Sequence, residues 1–307
     1  MWSALAVVYV VWGSTYLGIR VVVATAPPLL SMGVRFLAAS ALLAALLAIR
    51  HGPRVLRVPA REAGAAGVVG FLLLLCGNGF VALAERTVPS GLAALLVAAT
   101  PLWLAALRLA TGDRPTSATV SGTVLGFVGI AVLALPGSSG GEVEVWGVLL
   151  VLVATVSWAV GSFYSARLPL PANPFVATAW EMGLGGLALL AAGLASGEAA
   201  TTDLGAVAPE AWWALAYLTV AGSLAAFSAY VWLLNNAPIS LTATYAYVNP
   251  VVAVLLGALI LAEDVTTAIL LGGAVVVAGV GLVVSGERPA RQPRADRDAL
   301  PDSEAAV

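Results

Sequence analysis

Long apolar runs alternate with short polar connections over almost the whole chain. Runs of about 20 apolar residues are long enough, as helices, to cross the hydrocarbon core of a bilayer. They do not show the period-two alternation that is typical of a membrane β-barrel. The pattern therefore predicts an all-α integral membrane protein. Its ten predicted transmembrane helices cover residues 2–23, 29–49, 64–84, 90–110, 117–135, 146–166, 174–194, 212–234, 240–261 and 266–285.

The connections between these helices are rich in turn-forming residues, as in TAPP at 25–28 and LPGSSGGE at 135–142. They are too short to hold a soluble domain. The first apolar run has no basic region ahead of it and is too long for a signal-peptide core, so we interpret it as a helix. The polar, Pro/Arg/Asp-rich stretch 287–307 predicts a disordered cytoplasmic tail.

Composition agrees with a membrane protein, because 61% of the 307 residues are hydrophobic and only 10% are charged. The arginines also predict an orientation. Most of them flank the even-numbered connections or follow the last helix: Arg50, Arg54, Arg57, Arg61, Arg108, Arg114, Arg167, Arg288, Arg291, Arg294 and Arg297. The positive-inside rule therefore places the even connections and both termini in the cytoplasm.

The two halves of the sequence resemble each other. Pro89 and Pro101 are twelve residues apart, as are Pro238 and Pro250, and the offset between the pairs is 149. Each half holds five predicted helices, so the second half enters the membrane from the opposite side. Inverted repeats are typical of secondary transporters, which bind substrate near the midplane between the repeats. A channel or an intramembrane enzyme could also be duplicated. The two repeats are predicted at 1–136 and 146–286.

Motifs of several other protein classes are missing from the sequence. It has no G-x-x-x-x-G-K-[ST] phosphate loop, so any transport is secondary or facilitated and not driven by ATP on this chain. The only histidine, His51, lies in a basic connection, which argues against a Ser/His dyad or a His-rich zinc site. We therefore predict no enzyme activity, cofactor, metal or nucleic-acid partner. The sequence leaves the oligomeric state open.

An ordered set of motifs carries a family resemblance. The motifs are VWGSTYLGIR at 11–20, PPLLSMGVRFLAAS at 27–40, GNGFVALAERTVPSGLAALLVAATPLW at 77–103, SWAVGSFYSARLPLP at 157–171 and ATYAYVNPVVAVLLGALILAEDV at 243–265. Together they resemble the EamA-type exporters of the drug/metabolite transporter superfamily, over about residues 2–285. The resemblance implies a multi-pass protein of the bacterial cytoplasmic (inner) membrane that exports small metabolites or drugs through a central cavity.

These observations predict a carrier that exports a small organic solute by alternating access. Two other functions stay open at this point. A non-transporting membrane scaffold or receptor would produce no solute flux, and a facilitative channel-like pore would conduct without alternating access. The solute and the coupling ion cannot be read from the sequence.

Arg35 is the first candidate site residue, because an unpaired cation in hydrocarbon costs about 2.5 kcal/mol or more and therefore needs a partner, water or a function. Glu181 is the second, since it lies at the matching position of the other repeat, at an offset of 146. Each is seven residues into its helix from opposite membrane surfaces, so their depths differ by roughly 10 Å in a 30 Å core. We expect both to face the central cavity. There Arg35 compensates the negative charge of Glu181 in one state, and Glu181 takes up a proton or a cationic group in another. The alternative is a purely structural pair.

Further polar and aromatic residues within the predicted helices are suited to orient a substrate in a mostly apolar pocket. They are Trp12, Asn78, Trp158, Tyr230, Tyr245, Tyr247 and Asn249. The alternative for each is packing or a bond to a neighbouring helix. Pro101 and Pro250 lie mid-helix, where each is either a hinge or a structural kink. Small residues spaced for close helix contact predict packing faces at Gly122, Gly126, Gly272, Gly273 and Gly279.

Overall fold

The computed structural model describes residues 1–112, 116–133, 144–165, 167–226, 228–230, 233 and 245–286. This described part of the chain is helical and contains no strand, which confirms the all-α prediction. Its main helices are α1 Trp2–Val23, α2 Pro28–His51, α3 Ala60–Ala84, α4 Ser90–Ala110, α5 Ser117–Leu133, α6 Val145–Ser165, α7 Pro174–Ala195, α8 Pro209–Tyr230, α9 Tyr245–Leu261 and α10 Thr267–Gly286.

Helix length decides which of these elements can cross a bilayer alone. Among the described residues, seven helices are long and apolar enough to do so: α1, α2, α3, α4, α6, α7 and α8. The apolar helices α5 and α9 have 17 residues each within the described ranges, and the apolar part of α10, Thr267–Val283, is equally short. The predicted limits that fall on described residues agree with the helices to within about four residues. The limits predicted at 135, 166, 234 and 240 lie outside the described residues. The predicted tail, 287–307, lies outside the described residues.

Two helices change their winding midway. Phe71–Gly79 in α3 and Leu218–Ala225 in α8 are π-helical. A π segment shifts the i→i−4 bonding register and is common at functional sites. The two segments are separated by nearly the same spacing as the sequence repeat, so the third helix of each half carries one.

The helix α4 is interrupted before Pro101. It consists of Ser90–Val97 and Thr100–Ala110, and Pro101 lies in the first turn of the second segment. Pro101 therefore lies in the middle of the α4 span, at the break and not inside a continuous helical segment. Proline lacks the N–H that would bond the carbonyl four residues earlier. The Thr100 hydroxyl donates to that carbonyl, on Val97, at 2.7 Å instead. Pro250, in contrast, lies inside α9 as predicted.

The helices α2 and α7 pack against each other in opposite directions. A Cβ added at Gly33, near the start of α2, would lie 2.7 Å from Leu190 near the end of α7. Further along α2, the Ser40 hydroxyl donates to the Ala179 carbonyl at 2.7 Å near the start of α7. The contacts run forward on α2 and backward on α7, so the pair is antiparallel.

Glycines bring α5 and α10 into backbone contact. A Cβ at Gly122 would lie 2.6 Å from the Gly279 carbonyl, and one at Gly129 would lie 2.7 Å from the Val276 amide. The contacts again run in opposite directions along the two helices. Gly126, Gly272 and Gly273 are similarly crowded. The predicted glycine packing faces are confirmed.

Buried apolar side chains fill the helix interfaces in two main clusters. One lies where α4, α5, α6 and α10 meet, around Leu96 and Leu133. The other lies among α1, α2, α3, α7 and α8, around Met32 and Leu189. A smaller cluster contains Leu5 with the partly buried aromatic rings described next.

Candidate functional site

Three predicted site residues form one aromatic cluster. The Trp12 ring on α1 lies 5.0 Å from the Tyr230 ring on α8 and 5.3 Å from the Tyr245 ring on α9, measured between centroids. Tyr230 and Tyr245 are 5.8 Å apart in an edge-to-face arrangement. The Trp12 indole N–H donates to the Gly222 carbonyl of the α8 π segment at 3.2 Å. Aromatic faces with polar tips suit an apolar or cationic solute.

The π segment in α3 involves two further candidates: Asn78 is part of it, and Trp158 packs against it. The Trp158 ring packs against Gly77, where an added Cβ would lie 2.9 Å from Trp158 Cε3. The Asn78 amide donates to the Leu73 carbonyl of the same segment at 3.3 Å. Trp12 thus touches the π segment of the second half, and Trp158 touches that of the first. Asn78 acts here within its own helix.

Asn249 connects α9 to α1. With its amide nitrogen turned toward the two carbonyls, Asn249 donates to Tyr245 at 3.2 Å and to Tyr9 at 3.3 Å. The side chain is buried, so both bonds contribute to helix packing. The backbone of Tyr247 belongs to α9, while its side chain lies outside the described residues.

Arg35 is buried, with 5% of its surface exposed, and it has other partners than the expected one. Its Nε donates to the Ser223 hydroxyl on α8 at 3.0 Å, and its guanidinium lies 4.7 Å from the centroid of the Phe36 ring. A weaker contact reaches the Met32 sulfur at 3.6 Å. A hydroxyl, an aromatic face and a polarisable sulfur together compensate part of the desolvation of the cation.

No ion pair joins Arg35 to Glu181 in the part of the chain that the structure describes. The antiparallel register explains this, because Gly33 is level with Leu190. Arg35 is therefore about two turns of α7 away from Glu181, roughly 10 Å along the helix axis at 1.5 Å per residue. The Glu181 backbone also packs on a different neighbour, at Gly70 of α3.

The sequence analysis missed Glu85, which follows α3 directly. The side chain is fully buried, and neither carboxyl oxygen has a hydrogen-bond partner among the described residues. A guanidinium N–H of Arg20, near the end of α1, donates to the Glu85 backbone carbonyl. The predicted third helix ends at residue 84, so hydropathy leaves Glu85 in the connection that follows. Its position immediately after an apolar run was the available signal.

Two other carboxylates that were missed bind helix N-termini. Glu263, just beyond α9, accepts hydrogen bonds from the backbone amide and the hydroxyl of Ser90 at the start of α4. Glu198, just beyond α7, accepts from the amides of Leu29 and Leu30 at the start of α2, at 3.1 and 2.9 Å. The first amides of a helix have no partner within the helix and favour negative charge. Each carboxylate therefore fastens a helix of the second half to one of the first.

An open cleft of about 790 Å³ lies where α4 and α6 end. Its lining residues are Arg108, Thr111, Gly112, Ser162, Phe163, Tyr164 and Arg167. The Arg167 guanidinium stacks 3.8 Å from the centroid of Phe163 and donates to the Phe163 carbonyl at 2.7 Å. None of the predicted site residues lines this cleft. Among the described side chains, no group of three or more His, Cys, Asp or Glu could hold a metal ion.

Comparison with known families gives a match over nearly the whole chain. The family described as the EamA-like transporter family matches residues 1–135 and again 145–285. The resemblance expected from the sequence motifs is thereby confirmed.

Individual relatives agree with the family match. The chain is 39% identical, over 288 residues, to the uncharacterized inner membrane transporter YedA of Escherichia coli K12, covering 94% of this chain and 91% of YedA. It is 27% identical over 290 residues to the uncharacterized transporter YvbV of Bacillus subtilis, covering 91% and 90%. A solved crystal structure that is 20% identical superposes with a TM-score of 0.61 over 91% of this chain and 94% of that chain, and therefore has a similar fold.

Proposed function

The chain belongs to the EamA-like transporter family and is a membrane transporter, and we propose that it exports a small organic metabolite or drug across the bacterial cytoplasmic membrane by alternating access. The transport would be secondary, with a single solute site near the middle of the membrane. The description of YedA as an inner membrane transporter supports the choice of membrane.

The observation that carries this proposal is the antiparallel contact between corresponding helices of the two halves. The second helix of each half, α2 and α7, run in opposite directions against each other, as do the fifth helices, α5 and α10. An inverted repeat requires this arrangement, because its symmetry axis lies in the membrane plane. The double family match and the paired π segments give further support. We propose ten transmembrane helices in two inverted repeats, with α5, α9 and α10 completing the set.

The aromatic cluster is the proposed solute site. Trp12, Tyr230 and Tyr245 come from three different helices, so a change in the packing of either half alters their spacing. Arg35 contacts α8 one residue beyond the Gly222 carbonyl that binds Trp12. Arg35 therefore belongs to the same region of the protein.

The other candidates keep their proposed roles around this site. Glu181 is proposed to contact a cationic group or a proton from the opposite depth. Asn78, Trp158, Tyr247 and Asn249 remain proposed lining residues, and Pro101 and Pro250 remain proposed hinges. The break in α4 before Pro101 supports the hinge there.

Counterflow in proteoliposomes tests the proposed function directly. Vesicles loaded with an unlabelled solute should accumulate the same labelled solute transiently, because a carrier returns loaded more readily than empty. The screen offers amino acids, aromatic amines and cationic drugs, with and without an imposed pH gradient. Protein-free vesicles are the control. A pore would equilibrate the label without overshoot, and a scaffold or receptor would produce no flux for any solute.

Two further measurements test the orientation and the site. Reporter fusions after Arg57 and Arg288 should report cytoplasm, and fusions near Glu144 and Glu198 should report periplasm. Reversal at any two of these positions would rule out the proposed topology.

Arg35→Ala and Glu181→Gln should each abolish counterflow while the protein still inserts into the membrane. Normal insertion with wild-type rates in both variants would remove these residues from the site.

A further inference from the structure

The turn between α3 and α4 contains a carboxyl group in an unusual environment. Glu85 has no exposed surface, and its two side-chain oxygens have no hydrogen-bond partner in the described part of the chain. A buried carboxylate without hydrogen bonds is far more costly than a buried neutral carboxylic acid. The described conformation therefore fits the protonated form of Glu85.

Charged and titratable groups surround Glu85 on several elements. Tyr16 and Arg20 approach from α1, Arg35 from α2 and Glu263 from the end of α9, each close enough to interact with it electrostatically. The Glu263 anion opposes ionisation of Glu85, whereas the two arginines favour it.

Both arginines are engaged with other atoms in this conformation. Arg20 donates to the Glu85 backbone carbonyl and not to its carboxyl group. Arg35 donates to Ser223 on α8 at 3.0 Å. Ionisation of Glu85 would place a charged acceptor beside two guanidinium groups whose present hydrogen bonds go to other atoms. It therefore favours a rearrangement in which one of these groups turns toward the carboxylate.

We propose that Glu85 is a proton-binding site of this transporter, occupied in the described conformation and emptied when α1 or α2 rearranges to bring an arginine to its carboxyl group. Proton release at this point would loosen the contact between Arg35 and Ser223, and hence between α2 and α8. The coupling of this proton to solute movement rests on the proposed transport function, but the binding of the proton does not.

A proton fits the site better than a metal cation. Metal ions in proteins are held by several oxygen ligands. Both carboxylate oxygens of Glu263 are already used by the start of α4. The described chain also lacks any cluster of three or more metal-binding side chains.

Infrared spectroscopy of the purified protein in lipid vesicles tests the site without any solute. At neutral pH the wild type should show the carbonyl stretch of a protonated carboxylic acid that lacks hydrogen bonds. Glu85→Gln, which has the shape of the protonated acid, should lose that band entirely. Glu181→Gln is the matched control, because Glu181 is a half-buried carboxyl group elsewhere in the chain, and this variant should keep the Glu85 band. Raising the pH of the wild type should convert the band into carboxylate absorption.

The outcomes separate the two proposals. The proton site would be overturned if the wild type showed no such band at neutral pH. It would also be overturned if the band disappeared in Glu181→Gln and persisted in Glu85→Gln. Both conclusions hold whatever the vesicle transport assays show. Addition of NaCl should leave the band unchanged. If sodium instead converted the band into carboxylate absorption, the site would be assigned to a metal cation. With a transported solute in hand, Glu85→Gln should retain counterflow and lose part or all of the increment that a pH gradient produces, the remainder being carried by Glu181. Retention of the full increment would contradict the coupling of the Glu85 proton to transport.

Discussion

The carboxylate of Glu263 accepts hydrogen bonds from both the backbone amide and the side-chain hydroxyl of Ser90, at 2.8 and 3.0 Å, and so ties the end of α9 to the beginning of α4. The Gly91 amide adds a third bond at 3.2 Å. The negative charge lies at a helix N-terminus, where the helix dipole favours it. The Glu263 side chain thus accepts hydrogen bonds from two backbone amides and one hydroxyl at the start of α4.

Glu263→Gln should destabilise the protein measurably. The glutamine keeps the size of the side chain but removes the charge and turns one acceptor into a donor that faces backbone amides. Hydrogen bonds to charged groups contribute about 1.5–3 kcal/mol each, and we expect a loss in this range in the free energy of unfolding in micelles. Asp264→Asn, at the exposed neighbour, is the matched control and should change stability by less than about 0.5 kcal/mol. Equal effects of the two substitutions would contradict the role of Glu263.

The bonds of Glu198 and Glu263 should also affect the conformational equilibrium. Both join the two halves on the membrane side that the arginine distribution places outside. In the double variant Glu198→Gln/Glu263→Gln, the outer side should open more often. Cys76, the only cysteine, is half-buried in the α3 π segment and provides a native probe. A membrane-impermeant maleimide added outside should label it several-fold faster in the double variant than in the wild type.

Cys76→Ser gives the background of this labelling experiment. The same double substitution should not accelerate labelling from the cytoplasmic side, because the affected bonds lie at the opposite ends of the helices. Unchanged rates from outside would mean that the two carboxylates stabilise the fold without controlling access.

The glycine contact between α5 and α10 should tolerate no side chain. A Cβ at Gly279 would lie 2.7 Å from the Gly122 carbonyl, and backbone atoms cannot yield as a flexible side chain does. Gly279→Ala should therefore lower the free energy of unfolding by about 1–3 kcal/mol. Gly64→Ala in α3 is the control, since nothing lies within 4 Å of its added Cβ. That variant should be neutral or more stable by up to about 1 kcal/mol, because alanine favours the helix.

The energetic partner of Arg35 can be identified by double-mutant cycles of unfolding. Arg35→Ala and Ser223→Ala should be coupled by about 0.5–3 kcal/mol, since the two side chains share a hydrogen bond. Arg35→Ala and Glu181→Ala should be additive within about 0.5 kcal/mol, because the residues are separated by two turns of α7. A larger coupling to Glu181 would restore the ionic pair expected from the sequence.

Some of these structural features can be predicted from the sequence and others cannot. Hydropathy predicted the limits of the described helices, because a run of apolar side chains is a local property. The repeat inferred from the proline spacing stays a prediction. The sequence named Trp12, Tyr230 and Tyr245 as separate candidates, and only the structure brings them into one cluster. The partner of Arg35 did not follow, because the contact between Gly33 and Leu190 sets the register of α2 on α7. A repeat offset gives equivalent positions and not neighbouring ones.

Charges near the helix ends were the other gap. Glu85, Glu198 and Glu263 lie within three residues of apolar runs, where hydropathy alone indicates a solvated connection. Their burial or bonding depends on which helix end from elsewhere in the chain lies beside them. That information is tertiary, and a single sequence does not contain it.

Trp12 and Trp158 occupy equivalent positions of the two halves but differ in one bond. The Trp12 indole donates to the Gly222 carbonyl at 3.2 Å, whereas Trp158 packs its ring on Gly77 and has no hydrogen bond among the described residues. Trp12→Phe keeps an aromatic ring and leaves that carbonyl without its donor, so the unfolding free energy should fall by about 0.5–1.5 kcal/mol. Trp158→Phe should change the free energy of unfolding by less than about 0.5 kcal/mol.

In counterflow, Trp12→Ala should be far slower than Trp12→Phe, since the alanine also removes the aromatic face that packs on Tyr230 and Tyr245. Equal counterflow rates for the alanine and phenylalanine variants would show that the ring does not contact the solute, and Trp12 would then be a packing residue only.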